Sequence, residues 1–225
     1  MSEFSLHGFV KAFDECGDVG GCLSSFLGED LLLDLRQDYL TRVEGRTVAA
    51  IDGKPRRDDS VFIASGATIP AVRDLDGWLT VNAVLEVVEA KSITSNSLDG
   101  EDLKGYTADQ ICTYAKDQFD DIAEMLRAPE WNSWNKILLP VRGGDPIDQR
   151  TIRRSFVVWR PVSESGELTS SVTAETLTNS GWVDTRVEVF SGSLYVRHLL
   201  AHGVTSVPLL RVAAKIALID ALWAA

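Results

Sequence analysis

The chain is short of cysteine and of basic residues and has no long apolar run, and each shortage removes a class of protein. Its three cysteines, Cys16, Cys22 and Cys112, are odd in number and show no CxxC spacing. Neither a disulfide framework nor a thiolate metal site is indicated, and reduced thiols are expected, with Cys16–Cys22 the pairing left open. No stretch of about 20 apolar residues is present to span a membrane. The most apolar segment, Val207 to Ala225, is interrupted by Arg211, Lys215 and Asp220, a spacing that suits an amphipathic helix docked on a core. Met1-Ser2-Glu3-Phe4 places an acid before any base and no signal-peptide pattern follows, so a cytoplasmic protein is expected. The 22 basic residues are outnumbered by 33 acidic ones, for a net charge of −11. That balance excludes a protein that coats nucleic acid non-specifically, because neutralising phosphates takes clustered Lys and Arg. It leaves room for an enzyme with a local basic patch or a metal site.

Phosphate-binding glycine signatures are also lacking. Gly17-Asp18-Val19-Gly20-Gly21 fits neither a P-loop nor G-x-G-x-x-G, and there is no serine nucleophile elbow. What remains is an ordinary globular composition, 45% apolar over 225 residues, enough for one sizeable core with decorations.

Hydrophobic periodicity predicts helices over 4–13 and 29–43, the second with Leu32, Leu35, Tyr39, Leu40 and Val43 on one stripe. After Gly45 the period changes to that of strands. These are expected over 46–51 and 60–64, joined through the turn signal Asp52-Gly53, and then as one long valine-rich strand over 81–93. A helix over about 107–126, strands over 136–141 and 154–161, and a helical tail from about 207 complete the reading. Residues 163–181 are Ser/Thr-rich and show no usable period. Helix, three strands, helix and two strands is the pattern of a mixed α/β sheet.

Within the long strand, Glu89 and Lys91 are two residues apart and share a face. Burying either charge alone is costly, and each is better tolerated if it serves a site. Asp59, at the head of the 60–64 strand, supplies a second carboxylate if that strand neighbours Glu89. Two carboxylates and a strand carbonyl form an oxygen-rich site for Mg2+ or Mn2+. Lys91 would then orient a water or stabilise developing charge. A bare E-x-K is common, and its alternative reading is a solvated ion pair worth about 0–1 kcal/mol.

Asp59 followed by Glu89-Ala90-Lys91 resembles the signature of the PD-(D/E)XK, restriction-endonuclease-like nuclease superfamily. The segment from Gly45-Arg46 through Asp52-Gly53 and Asp59-Ser60-Val61 to Val87-Val88-Glu89-Ala90-Lys91-Ser92 looks like a bacterial and phage branch of it. The match departs from the pattern in lacking a proline before Asp59 and in its spacing of 30 residues to Glu89, which leaves Asp58, Asp74 and Asp76 open as the first acid. The resemblance implies a restriction-endonuclease-like mixed sheet flanked by helices. It also implies hydrolysis of DNA phosphodiester bonds in restriction, phage defence or repair, with Asp59 and Glu89 on Mg2+ or Mn2+ and Lys91 catalytic. Gln110, four residues before Tyr114 on the following helix, forms a Gln-x-x-x-Tyr pattern that accompanies E-x-K in some members. The competing expectation is an inactive nuclease-fold protein acting as an interaction module, which the acidic charge favours. A protein partner or a homo-oligomer belongs with it, and a membrane partner does not.

The expected organisation is an N-terminal helical segment over 1–28, the nuclease-like core over 29–161, and an extension over 162–225 packed on it. Glu44 is read mainly as solvent-facing, with a site role as the alternative. His198 and His202 lack the glutamate of H-E-x-x-H and read as packing or surface residues. Arg56-Arg57 and Arg153-Arg154 are candidate phosphate contacts, and Trp131 and Trp134 are expected to cap the sheet.

Overall fold

A computed structural model describes residues 19–51, 60–64, 67–70, 75–91, 107–127, 137–142, 145–147, 151–178 and 181–204. Three helices and ten strands lie among them. In chain order these are α1 (Val19–Arg42), β1 (Val48–Ala50), β2 (Ser60–Ala64), β3 (Ala67–Pro70), β4 (Gly77–Val81), β5 (Val84–Lys91), α2 (Ala108–Arg127), β6 (Ile137–Arg142), β7 (Asp145–Pro146), β8 (Arg153–Val158), β9 (Thr169–Thr178), β10 (Gly181–Ser191) and α3 (Gly192–Ala201). The strands form a six-stranded sheet in the order β1-β4-β5-β8-β10-β9 and a four-stranded sheet in the order β3-β2-β6-β7. The larger sheet is mixed: β5, β8 and β10 run parallel to one another, and β1, β4 and β9 pair antiparallel.

Both faces of β5 are covered, which is why its apolar residues do not alternate with exposed polar ones; Leu85 and Val87 pack with Trp78, Ile152 and Phe119 on the face away from α1. Val88 and Ala90 face Leu32, Leu35, Tyr39 and Leu40 of α1, together with Val157, Phe190 and Tyr195. On the other face, Ile111 and Ala115 of α2 pack against Phe156, Val158, Val187 and Val189. The Ser/Thr-rich stretch without a usable period becomes β9, and β9 and β10 complete the same sheet as β5. Its alternation is weak because Thr and Ser suit either side of a half-buried strand.

Three expectations change. The strand expected over 81–93 is described over Val84–Lys91 as β5, and residues 77–81, expected mainly as loop, form β4; the two make a hairpin turning at Asn82-Ala83, whose φ values of 51° and 65° are those of a type I′ turn. The turn lacks the glycine by which such hairpins are recognised in sequence. The hairpin expected through Asp52-Gly53 is not formed: β1 pairs with β4, and β2 belongs to the other sheet. Asn82 clamps β1 there: its N–H donates to the Thr47 carbonyl (2.8 Å) and its Oδ1 accepts from the Thr47 N–H (2.9 Å). Helix α1 begins about ten residues before the expected start, and Val43, expected on the inner stripe, is exposed beyond the helix end. Arg36 takes a place on that stripe and is fully buried. The expected helices over 4–13 and from 207 lie outside the described residues.

Candidate active site

The charged end of the E-x-K strand is assembled by the hairpin register. Gly77 is opposite Val88, so one step further Asp76 is opposite Glu89. Two bonds fix Asp76 there: its N–H donates to the Val88 carbonyl (2.9 Å), and its Oδ2 accepts from the Ala90 N–H (2.8 Å). Lys91 Nζ is 4.0 Å from Asp76 Oδ2 and donates to Glu89 Oε1, so one ammonium contacts both carboxylates. Glu89 is almost fully buried, while the Asp76 and Lys91 side chains keep 17% and 19% of their exposure, which leaves the group open to solvent on one side.

Gly77 lets the strand carrying Asp76 run close under α1. A Cβ there would lie 2.6 Å from Leu33 Cδ2. Two aligned carboxylates and a strand carbonyl are hard oxygen donors, and Mg2+ is commonly held by one or two carboxylates with waters completing its shell. Asp76 and Glu89 therefore fit Mg2+ or Mn2+. Among the described residues no three of His, Cys, Asp and Glu converge on a metal position, so water would supply the remaining ligands.

The other expected site residues are placed differently. Asp59, Asp58 and Asp74 lie outside the described residues, as do Arg56-Arg57 and the pair Trp131 and Trp134. The strand that Asp59 would open, β2, pairs with β3 and β6, whereas β5 is flanked by β4 and β8, so the expected adjacency is not formed. Gln110 is exposed and completes a capping box at the start of α2: its Oε1 accepts from the Thr107 N–H (2.9 Å), and Thr107 Oγ1 accepts from the Gln110 N–H (3.3 Å). Tyr114 packs edge-on against Phe156, the register neighbour of Glu89. Glu44 accepts from Arg46 Nε (3.3 Å) at the opposite end of the β4–β5 hairpin. His198 stacks between Tyr195 and His202, with ring centroids 6.3 and 4.2 Å away.

A second cluster of charge is buried on the α1 face. Arg36 Nε donates to Glu86 Oε1 (2.9 Å), its Nη2 to Ser155 Oγ (3.0 Å), and its Nη1 lies 2.5 Å from Glu188 Oε1. Ser155 Oγ donates to Glu86 Oε1 (2.6 Å), and Arg153 Nε to Glu86 Oε2 (2.8 Å). Burial alone would raise the Glu86 carboxyl, but Arg36, Ser155 and Arg153 together hold it below the usual carboxylate range. Burial would likewise weaken the Arg36 cation, and Glu86 and Glu188 more than restore it. The sequence marks this cluster weakly, by Glu86 among the apolar residues of β5 and by Arg153, expected there as a phosphate contact.

Compared with known proteins, the chain matches no family model, no curated protein and no solved structure.

Proposed function

We propose that the chain is a metal-dependent nuclease with a restriction-endonuclease-like core, in which Asp76, Glu89 and Lys91 form the catalytic group. The observation that carries this reading is the convergence of both carboxylates on one ammonium at the open end of β5. The order of elements supports it. A helix precedes an antiparallel β1-β4-β5 unit, and a second helix then leads to β8, parallel to β5. Asp76 takes the place of the first acid because the hairpin register, fixed by the Asn82-Ala83 turn, delivers it to Glu89.

In this reading Asp76 and Glu89 hold Mg2+ or Mn2+, which when bound polarises the scissile phosphate and acidifies a water. Lys91 gives up Glu89 on cation binding and turns to the water or to the charge developing on the phosphate. Ala90 positions Asp76 through its N–H, and the buried position of Glu89 keeps its carboxylate in one rotamer.

The test is cleavage of single- and double-stranded DNA with Mg2+ or Mn2+, using wild type beside Asp76→Asn, Glu89→Gln and Lys91→Ala. Wild-type cleavage lost in all three variants is the expected result. Cleavage that survives Lys91→Ala points to a contaminant or to another site. No cleavage by wild type, together with wild-type folding and no Mn2+ uptake, leaves the non-catalytic interaction module, which the charge of −11 favours.

A further inference from the structure

Strand β10 runs past the start of β8. Its ladder with β8 begins at Val187–Arg154, and Gly181 to Arg186 pair only with β9. Where β8 is missing, a cleft of about 700 Å³ opens between the start of β8, the first half of β10 and the segment after α1. Volumes of roughly 300–1,000 Å³ are those of small-molecule sites. The cleft is at the opposite end of the sheet from Asp76 and Lys91: Arg153 is opposite Glu86 and Val158 opposite Lys91, a separation of about 16 Å along the strand.

Its charge runs against that of the chain. Among the described residues four arginines line it, Arg46, Arg153, Arg154 and Arg186, and no lysine does. The acids are Glu44, Asp184 and Glu188, of which Glu44 is engaged by Arg46 and Glu188 by the buried Arg36. Arg153 is held from beneath through Nε by Glu86 and makes no other polar contact with a described residue. Arg186 is exposed and makes none at all with the described residues. A guanidinium fixed at Nε presents its two Nη groups as a fork, the geometry that binds a phosphate in bidentate fashion. Burial in this corner lowers Arg154 to about 10, still a cation at neutral pH. Beside the arginines the lining offers apolar Ile152 and Val183 and the exposed carboxylate of Asp184, while the Thr185 hydroxyl donates to the Ala174 carbonyl (3.4 Å).

We propose that this cleft binds a nucleotide-sized phosphate ester, with Arg153 and Arg186 on the phosphate and Asp184, on the same face of β10 as Arg186, accepting from hydroxyl or amino donors of the sugar or base. The proposal does not depend on the nuclease reading. A free nucleotide and the 5′-phosphorylated end of a nucleic-acid strand present the same chemistry to it.

Isothermal titration of the full chain with inorganic phosphate, AMP and a 5′-phosphorylated tetranucleotide tests the site. AMP or the tetranucleotide is expected to bind, and whichever binds more tightly identifies the source. Arg186→Gln, at an exposed side chain without polar contacts to the described residues, should leave the melting temperature unchanged and weaken binding at least tenfold. Asp76→Asn should leave it unaltered. No binding to wild type at millimolar concentration overturns the proposal, as does binding indifferent to Arg186→Gln or lost in Asp76→Asn. Inorganic phosphate binding as tightly as AMP overturns the nucleotide assignment.

Discussion

Replacing Arg36 by methionine tests the physical account of the sheet interior most directly. The substitution keeps most of the side-chain volume but removes the guanidinium lying between Glu86 and Glu188, both on the α1 face of the sheet. Arg36 and Glu86 are both fully buried, so little water is available to replace the lost partner. Removing one member of a buried pair costs about 3–5 kcal/mol, mostly because the remaining charge stays desolvated. For a chain of this size that corresponds to a fall in Tm of roughly 6–20 °C. The pH dependence gives a second readout with a defined sign. In wild type the folded Glu86 carboxyl lies below its ordinary value of 4.5, so its contribution is complete above that pH and is lost as pH falls through and below it. Without Arg36, burial dominates and the folded carboxyl binds its proton more tightly than the unfolded chain does, so acidification favours the variant's fold. Urea titrations between pH 7 and pH 4.5 should therefore show a large stability gap at pH 7 that narrows on acidification. A gap below about 1 kcal/mol at pH 7 refutes the reasoning, as does one that widens toward pH 4.5.

Other sites offer smaller tests. Gln110→Ala should cost about 0.5–1 kcal/mol through the lost cap in thermal melts and leave any DNA cleavage unchanged; a collapse of cleavage at unaltered stability would return Gln110 to the active site. Asn82→Ala should cost about 1–2 kcal/mol in chemical denaturation, since it removes the bond to Thr47 and places a less tolerant residue at positive φ. Ala83→Gly, at φ 65°, should be neutral or stabilising by up to about 1 kcal/mol in the same assay. Gly77→Ala should cost about 1–3 kcal/mol by pressing on Leu33, and Leu33→Ala should recover part of that loss in the double variant. Simple additivity of the two would show that the contact is absent.

Much of the architecture was legible in local pattern. The apolar stripe of α1, the strands around 60–64 and 137–142, helix α2 and the charged end of β5 all appear in the sequence because each is set by periodicity or by an unusual charge. The hairpin at Asn82-Ala83 was not, because its turn depends on two non-glycine residues held at positive φ. Without a recognisable turn, residues 77–80 read as part of a loop, and Asp76 stands there only as an alternative first acid. Arg36 was also hidden: a charge at a stripe position is ordinarily read as solvated, and only the partners brought from β5, β8 and β10 make its burial tolerable.

By itself, then, the sequence determined the mixed α/β class and the Glu89–Lys91 pair, since alternation along a strand is a local property of the backbone. Which carboxylate joins that pair is a matter of strand pairing. Asp59 heads the expected site and Asp76 is one of its alternatives in the text, but β5 is flanked by β4 and β8 and not by β2, so Asp76, just before β4, is the acid that reaches Glu89. Register between distant segments is set by core packing and turn geometry together, and the tertiary structure alone decides it.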